Sequence, residues 1–322
     1  MQKTNDNHDL SKLDATLLLA EQLEVMIDEV PELKDAHIEE MLRIVPEKRA
    51  LMRGTLNERD VVFRMHLGSS NQTATREWQE YQRIWPFMCE GAYTVCEPIL
   101  FLSEYNLLIL QAIDGTSFLR VLRKSNHDEK STHLETAARW LKHYMSVSEH
   151  DEQTTHRRWI KRARDIHEAK TLARFKPVKD CILNELERLA RYFDERTWRT
   201  AICHGDFHSN NLIHRETTLV GFDIGRSGRS PIYRDMARFL SHLALRDNNT
   251  PDVQYLGVSQ TGFSTFCRVF DLDQDEREIA LPIMIGCDAL LRPETLGQTT
   301  QSTTKSEAFC QALLKDLSQI RT

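Results

Sequence analysis

Residues 202–225, ICHGDFHSNNLIHRETTLVGFDIG, hold the densest group of chemically capable side chains in this 322-residue sequence. Asp206, Asn211 and Asp223 each carry side-chain oxygens. Two short apolar runs, Leu212-Ile213 and Leu219-Val220-Gly221-Phe222, flank a polar turn at 215–218, which predicts a small hairpin. A hairpin returns its ends to one place, so the three side chains are expected to converge. Oxygen donors of this kind suit one or two hard cations carrying a phosphorylated ligand. Phosphoryl transfer needs an oriented nucleophile, cations that offset phosphate charge, and in-line geometry. Asp206 is then the candidate base. Asn211 and Asp223 are candidate metal ligands, with Asp223 suited to a metal bridging β- and γ-phosphate oxygens. His208 is a candidate donor to a phosphate oxygen. His204 reads as orienting the loop, and Gly205 as permitting a tight backbone.

Taken singly, these residues have plainer readings. An Asp after Gly is usually a turn residue, and Asn210-Asn211 is usually loop capping. It is the combination, at these spacings around a hairpin, that points to phosphate chemistry. A zinc site built from Cys203, His204 and His208 is a competing reading, with no fourth ligand at a usual spacing.

Composition narrows the classes. A net charge of −6 lacks the basic footprint that non-specific nucleic-acid binding requires, so no nucleic-acid partner is expected. The seven cysteines are scattered, odd in number and without a CxxC pair, as in a reduced, cytoplasmic setting. The polar opening MQKTNDNHDL predicts no secretory leader. No apolar run approaches the ~20 residues of a membrane span. The length allows one large or two modest domains.

The elements that must position these residues follow from periodicity. Leu13, Leu17, Ala20, Leu23, Ile27 and Val30 are spaced as a helix over 10–30, with Ser11 as cap and Pro31 as its end. A second short helix is expected over 35–42. Residues 49–56 and 60–67 read as an antiparallel hairpin, and 41–45 as a third strand turning at Pro46-Glu47-Lys48. A helix over 73–85 follows, with Trp78, Tyr81, Ile84 and Trp85 on its buried face. Strands are expected over 93–102 and 105–112. Asp114-Gly115 marks a break, after which the chain is mainly helical: 118–123, 133–147, 181–193, 230–245 starting at Ser230-Pro231, 257–270, 276–291 and 306–320. The expected division is a helical extension over 1–39, a module of strands with one helix over 40–113, and a mainly helical part over 114–322.

HGDFHSNN resembles the H-G-D-x-x-x-x-N catalytic loop of the aminoglycoside phosphotransferase and choline kinase family, relatives of protein kinases. FDIG is similar to the family's metal-binding Asp segment, and SPIYRDMARFL to the downstream segment in which a buried Asp, here Asp235, steadies the catalytic loop. The resemblance covers about residues 40–245. It implies an α+β, bilobal protein-kinase-like fold, with a small N-terminal antiparallel-sheet lobe bearing one helix and a larger, mainly helical C-terminal lobe. By the same resemblance, 40–113 is the nucleotide-binding lobe and 114–322 the catalytic and acceptor-binding lobe. It implies Asp206 as catalytic base, Asn211 and Asp223 as Mg²⁺ ligands, and His208 in place of the Lys that protein kinases put two residues after the base. Glu77 matches the helix Glu that anchors the nucleotide-binding cation. Leu110, Gln111, Ala112 and Ile113 match the hinge whose backbone meets adenine. The implied activity is an ATP- and Mg²⁺-dependent transfer of the γ-phosphate to a hydroxyl of a small molecule.

Two departures stand out. Arg64 occupies the strand position where the family usually has Lys; Arg is always charged and can hold phosphate bidentately. The turn at Pro46-Glu47-Lys48 has no glycine, and Gly54 lies in or near the second strand and cannot replace one. These departures motivate the alternative of a pseudokinase that senses nucleotide or binds a partner without turnover. The acidic run Asp271, Asp273, Asp275, Glu276, Glu278 could meet a cationic acceptor, or be a solvated loop. The basic run 157–164 could meet a phosphate or lipid head group, or be a solvated helix face. Trp140 and Trp159 are candidates for an acceptor pocket or for core.

Overall fold

Two antiparallel strands, β1 (Ala36–Val45) and β2 (Arg49–Leu56), begin a five-stranded sheet that continues with β3 (Arg59–His66). A computed structural model describes residues 19, 21–23, 25–45, 48–67, 71–194, 196–247, 253–292 and 299–321. The chain divides into two compact units, one of residues 1–91 and 95–114, the other of 92–94 and 115–322.

In the first unit the sheet has the order β1-β2-β3-β6-β5, with β5 (Pro98–Leu102) and β6 (Leu107–Gln111) following helix α1 (Asn71–Met88). The helix expected over 35–42 is strand instead. Ile38, Met41 and Ile44 are spaced by three, which imitates a helix. Register irregularities between Ile38 and Glu40 and between Met41 and Arg43 break the two-residue alternation, so all three pack on the same core. Gly54 lies in β2 opposite Ile38, where an added Cβ would sit 1.9 Å from the His37 carbonyl oxygen. Asn57 and Glu58, both at positive φ, close the β2–β3 hairpin in two residues.

On α1 the buried face is Ala74, Glu77, Tyr81, Ile84 and Met88 rather than the expected tryptophans. Trp78 is only partly buried and stacks on Phe101 with ring centres 5.8 Å apart. Leu19, Leu23, Met26 and Val30 pack under the sheet, and residues 21–23 and 25–29 are helical. Ser11, Leu13, Leu17, Ala20, Pro46 and Glu47 lie outside the described residues.

The strand expected over 93–102 is two strands. β4 (Tyr93–Val95) joins a separate four-stranded sheet of order β4-β11-β10-β7, completed by β7 (Thr116–Ser117), β10 (Leu212–Arg215) and β11 (Thr218–Gly221). In the second unit β10 and β11 form the expected hairpin, with Leu212 opposite Gly221. β9 (Thr197–Cys203) leads into the hairpin, flanked by β8 (His150–Gln153) and β12 (Gly228–Pro231). Ser230-Pro231 therefore ends a strand and does not start a helix. An edge strand tolerates a proline that cannot donate to the ladder.

Helices make up most of the rest: α2 (Phe118–Lys124), α3 (His127–Ser146), α4 (His156–Lys170), α5 (Lys176–Ala190), α6 (Tyr233–Arg246), α7 (Gln260–Val269), α8 (Leu281–Leu291) and α9 (Thr300–Leu317). A π-helical turn, Glu276–Ala280, precedes α8. Asn126 and Glu129 form a reciprocal capping box that starts α3 six residues earlier than the apolar periodicity suggests.

Candidate active site

The loop after β9 is shaped by Gly205 and Asp235. Gly205 has φ +83°, and an added Cβ would lie 2.0 Å from the Arg226 carbonyl oxygen, so only glycine fits. Asp235, in the first turn of α6 and fully buried, accepts the Gly205 N–H at 3.1 and 3.2 Å. Burial pushes its carboxyl up, against the pull of Arg234 and His204. His204 Nε2–H donates to the Phe222 carbonyl at 3.1 Å, and its Nδ1 accepts the Asp206 N–H at 3.4 Å. One ring thus ties the loop to the far end of the hairpin. The loop rests on an aromatic stack: Phe207 lies 5.5 Å from Trp140 at 9° and 5.2 Å from Phe239. Trp140 is fully buried, donates to the Thr94 carbonyl at 2.8 Å, and is core rather than pocket lining. Gly221 lies against it, since a Cβ there would be 2.1 Å from the indole.

Asp206 faces three cationic or titratable groups. Arg238 Nε and Nη2 reach Oδ1 at 3.0 and 2.9 Å, Arg226 Nη1 lies 3.4 Å from Oδ2, and His208 Nε2 lies 3.8 Å from Oδ1. Burial alone would raise this carboxyl, but Arg238, His208 and Arg226 together hold it below the ordinary carboxylate value. Burial, with help from Arg238 and His204 and against Asp206, lowers His208 to about 4. His208 is therefore neutral at pH 7 and is not a charge equivalent of lysine. Its ring stacks on His242 with centres 4.4 Å apart.

Asn211 donates Nδ2–H to the Asp206 backbone carbonyl at 3.0 Å, which directs its Oδ1 away from that contact. Phe222 N–H bonds the Asn211 carbonyl at 3.1 Å, so the base of the hairpin joins the loop of Asp206 to the segment carrying Asp223. Asp223 has φ +62°, a left-handed conformation that Asp tolerates better than most residues. An amide oxygen and a carboxylate are hard donors and fit a magnesium-class ion. The zinc reading fails. Cys203 is buried, its thiol donates toward the Ser230 and Pro231 carbonyls, and burial pushes it well above the ordinary thiol value. No cluster of three His, Cys, Asp or Glu ligands exists among the described residues.

In the first unit Arg64 is buried and does not face solvent. Its Nη1 lies 2.8 Å from Glu77 Oε1 on α1, with side-chain exposures of 7% and 0%. His66 Nε2 is 3.4 Å from the other Glu77 oxygen. Leu110 and Gln111 end β6. The N–H groups of Gln111 and Ala112 donate to the Glu97 and Asp60 carbonyls at 2.9 and 3.0 Å.

Several residues around Asp206 escaped the sequence reading. A cleft of about 360 Å³ in the second unit is lined by Asp206 and by Trp159, both singled out in the sequence, and by Arg226, Arg234, Arg238, His242, Arg246, Asp288 and Arg292, which were not. The available signal was a polar stripe: Asp235, Arg238, His242 and Arg246 recur at helical spacing along α6. The acidic run is engaged elsewhere. Asp271 pairs with Lys142, Asp275 with Arg196, and Glu276 with Arg199 and Tyr233. The basic run divides: Arg157 pairs with Asp194, Lys161 with Asp165 and Arg164 with Glu187, while Arg162 lies over Trp159.

The model of the phosphotransferase enzyme family, APH, matches residues 47–265. Among solved structures, aminoglycoside phosphotransferase APH(4)-Ia superposes with a TM-score of 0.58 at 13% identity, covering 92% of this chain and 99% of that one. A choline/ethanolamine kinase family protein from Mesorhizobium loti gives 0.59 at 12% identity, over 93% and 94% of the two chains. An aminoglycoside-3'-phosphotransferase of type VIII gives 0.53 at 15% identity, over 83% and 97%. At such identities the likeness is one of fold, and the fold is α+β and kinase-like. No curated protein matches the sequence significantly. The matched segment runs from the first hairpin into α7 and contains Arg64, Glu77, the loop of Asp206 and Asn211, and Asp223; the chain belongs to the phosphotransferase enzyme family.

Proposed function

We propose that this protein transfers the γ-phosphate of ATP, with Mg²⁺, to a hydroxyl of a small molecule. The observation that carries the reading is Asp206: a carboxylate held ionised by Arg238, on a glycine-shaped loop, opening on a cleft and bonded through its backbone to Asn211. Asp206 accepts the hydrogen bond of the acceptor hydroxyl, orients that oxygen, and takes its proton as the oxygen bonds to phosphorus. A carboxylate of low basicity suits this role, because in a loose transition state the proton leaves late and positioning matters most. With Arg238 on Oδ1, the acceptor would meet Oδ2, beside which the exposed Arg226 Nη1 lies at 3.4 Å and would have to yield or share that oxygen. Asn211 and Asp223 would hold Mg²⁺, which when bound neutralises phosphate charge. His208, neutral at pH 7, donates one N–H toward a phosphate oxygen rather than acting as a cation. Arg64, anchored by Glu77, takes the place of the family's lysine toward the nucleotide phosphates. An adenine meeting residues 110–113 would use their carbonyls or the Ile113 N–H, since two of the N–H groups are engaged.

No helix among the described residues is long and apolar enough to cross a membrane. The reading is tested by a mass-spectrometric screen of small alcohols and sugars for ATP-dependent gain of phosphate, repeated with Asp206→Ala and Asp223→Ala. Asp206→Ala should keep nucleotide binding and lose transfer, whereas Asp223→Ala should lose Mg²⁺-dependent nucleotide binding. Unchanged turnover in both variants would overturn the assignment. Nucleotide binding without turnover on any acceptor would favour the pseudokinase reading.

A further inference from the structure

The cleft beside Asp206 carries five arginines and two aspartates, on a chain whose net charge is −6. Both carboxylates are already engaged. Asp206 holds Arg238 and Arg226, and Asp288 holds Arg292 at 2.6 Å with Arg238 at 3.8 Å. Arg234 donates to the Ser230 hydroxyl at 3.3 Å and the Gly205 carbonyl at 3.0 Å, and lies over the Trp159 ring at 5.4 Å. Neither Arg234 nor Arg246 forms an ion pair with a carboxylate among the described residues. Arg292 Nε is buried without a hydrogen-bond partner. The positive field is felt by His242 in the same wall. Burial, His208, Arg238, Arg292 and Arg246 together lower it to about 2.

Arginines confined to a concave site, in excess of local carboxylates, have donors to offer an incoming anion. The nucleotide is a poor candidate for that anion, because Asn211 and Asp223, the proposed metal ligands, do not line the cleft. A cationic acceptor is worse placed, since it would meet arginines while the acidic run is paired elsewhere.

We propose that the acceptor is an anion, a hydroxyl-bearing compound whose carboxylate or phosphate is held by Arg234, Arg246 and Arg292 while its hydroxyl meets Asp206. This rests on the phosphotransferase reading and narrows it to a substrate class. Trp159 supplies an apolar wall to the carbon skeleton. It also lines a neighbouring cleft of about 430 Å³ with Arg158, Arg162 and Arg229 and one carboxylate, Glu152, 4.0 Å from Arg229, so arginines outnumber carboxylates there as well.

The test is equilibrium binding, by calorimetry without nucleotide, of four probes that share a sugar ring: glucose, glucosamine, glucuronate and glucose 6-phosphate. At least one of the two anions should bind tenfold more tightly than glucose, with glucosamine weakest, and the preference should shrink as salt rises. The tighter of the two anions tells carboxylate from phosphate. Arg246→Gln and Arg234→Gln, each checked for native circular dichroism, should weaken the anion at least tenfold and leave glucose unchanged. Glucosamine binding as tightly as the anions, no binding by either anion, or full anion affinity in both variants overturns the proposal. ADP release with ATP·Mg²⁺ then separates the two levels. An anion that binds through these arginines but gives no turnover above the Asp206→Asn background removes the phosphotransferase reading and leaves the anion site. Turnover of glucosamine alone keeps the phosphotransferase reading and removes the anion site.

Discussion

Arg238 places two guanidinium donors on one oxygen of Asp206, at 3.0 Å from Nε and 2.9 Å from Nη2. The arginine comes from the middle of α6, one turn after Asp235, which holds the loop backbone from beneath. One helix therefore supports the proposed base in two ways, through its peptide and through its charge.

Removing that charge should be visible in the pH profile. Arg238→Gln takes away the largest influence that lowers the Asp206 carboxyl, so the acidic limb of kcat/KM should move to higher pH. Activity at neutral pH should fall by about tenfold or more through lost orientation. Arg238→Lys should keep the limb near its original place and recover part of the rate. A Gln variant that loses rate with an unmoved limb would show that Arg238 acts on packing alone.

Arg64 and Glu77 form a buried pair, and its two ends are not equivalent to mutate. Arg64→Ala leaves a carboxylate with no exposure uncompensated, and the cost expected for such a break is about 3–5 kcal/mol. Arg64→Lys keeps a charge in reach and should cost clearly less. Urea denaturation followed by fluorescence of the five tryptophans measures both. Equal destabilisation by Ala and Lys would mean that the arginine's shape, not its charge, is what Glu77 requires.

Gly205→Ala should separate folding from catalysis. The position demands positive φ and has a carbonyl oxygen 2.0 Å from where Cβ would stand. The strain expected is of order 1–3 kcal/mol for the dihedral, and the loop must also shift. A folded protein with a lowered melting temperature and activity reduced by at least a hundredfold is the expected result, because Asp206 is the next residue. A variant with normal activity would place the base elsewhere.

Acid should unfold the protein through two histidines. Burial lowers His208 to about 4 and His242 to about 2 in the native state, against an ordinary value of 6.5. In the unfolded chain both take up protons below about pH 6.5, while the native rings, stacked 4.4 Å apart, do not. The unfolded state then binds more protons, so stability rises with pH in this window and is lost as pH falls from about 6.5 towards 4. Denaturation midpoints at pH 7.5, 6 and 5 measure the slope. His242→Gln should flatten it, and an unchanged slope in that variant would remove His242 as a cause.

Asp206, Asn211 and Asp223 were legible in the sequence because they are close in the chain. A four-residue strand on each side of a tight turn determines where both ends go, so spacing alone predicts the hairpin that joins their segments. The contact between Glu77 and Arg64 was implied only by the family resemblance and is present; no periodicity of this sequence predicts it, because a strand and a helix must first pack. The sequence misled where tertiary pairing overrode local pattern. The spacing of Ile38, Met41 and Ile44 imitates a helix because irregular pairing with β2 lets residues three apart share a face. Ser230-Pro231 reads as a helix start because the partner strand, β9, lies almost thirty residues away. The helical spacing of Arg238, His242 and Arg246 was in the sequence, but the arginine cleft itself was decided by tertiary structure. Its walls come from α4, the loop after Asp223, α6, α8 and Arg292, segments whose nearness depends on how helices pack rather than on any local period. The residues proposed for the reaction thus lie in one short stretch, while the charge proposed to select its acceptor arose only when distant helices met.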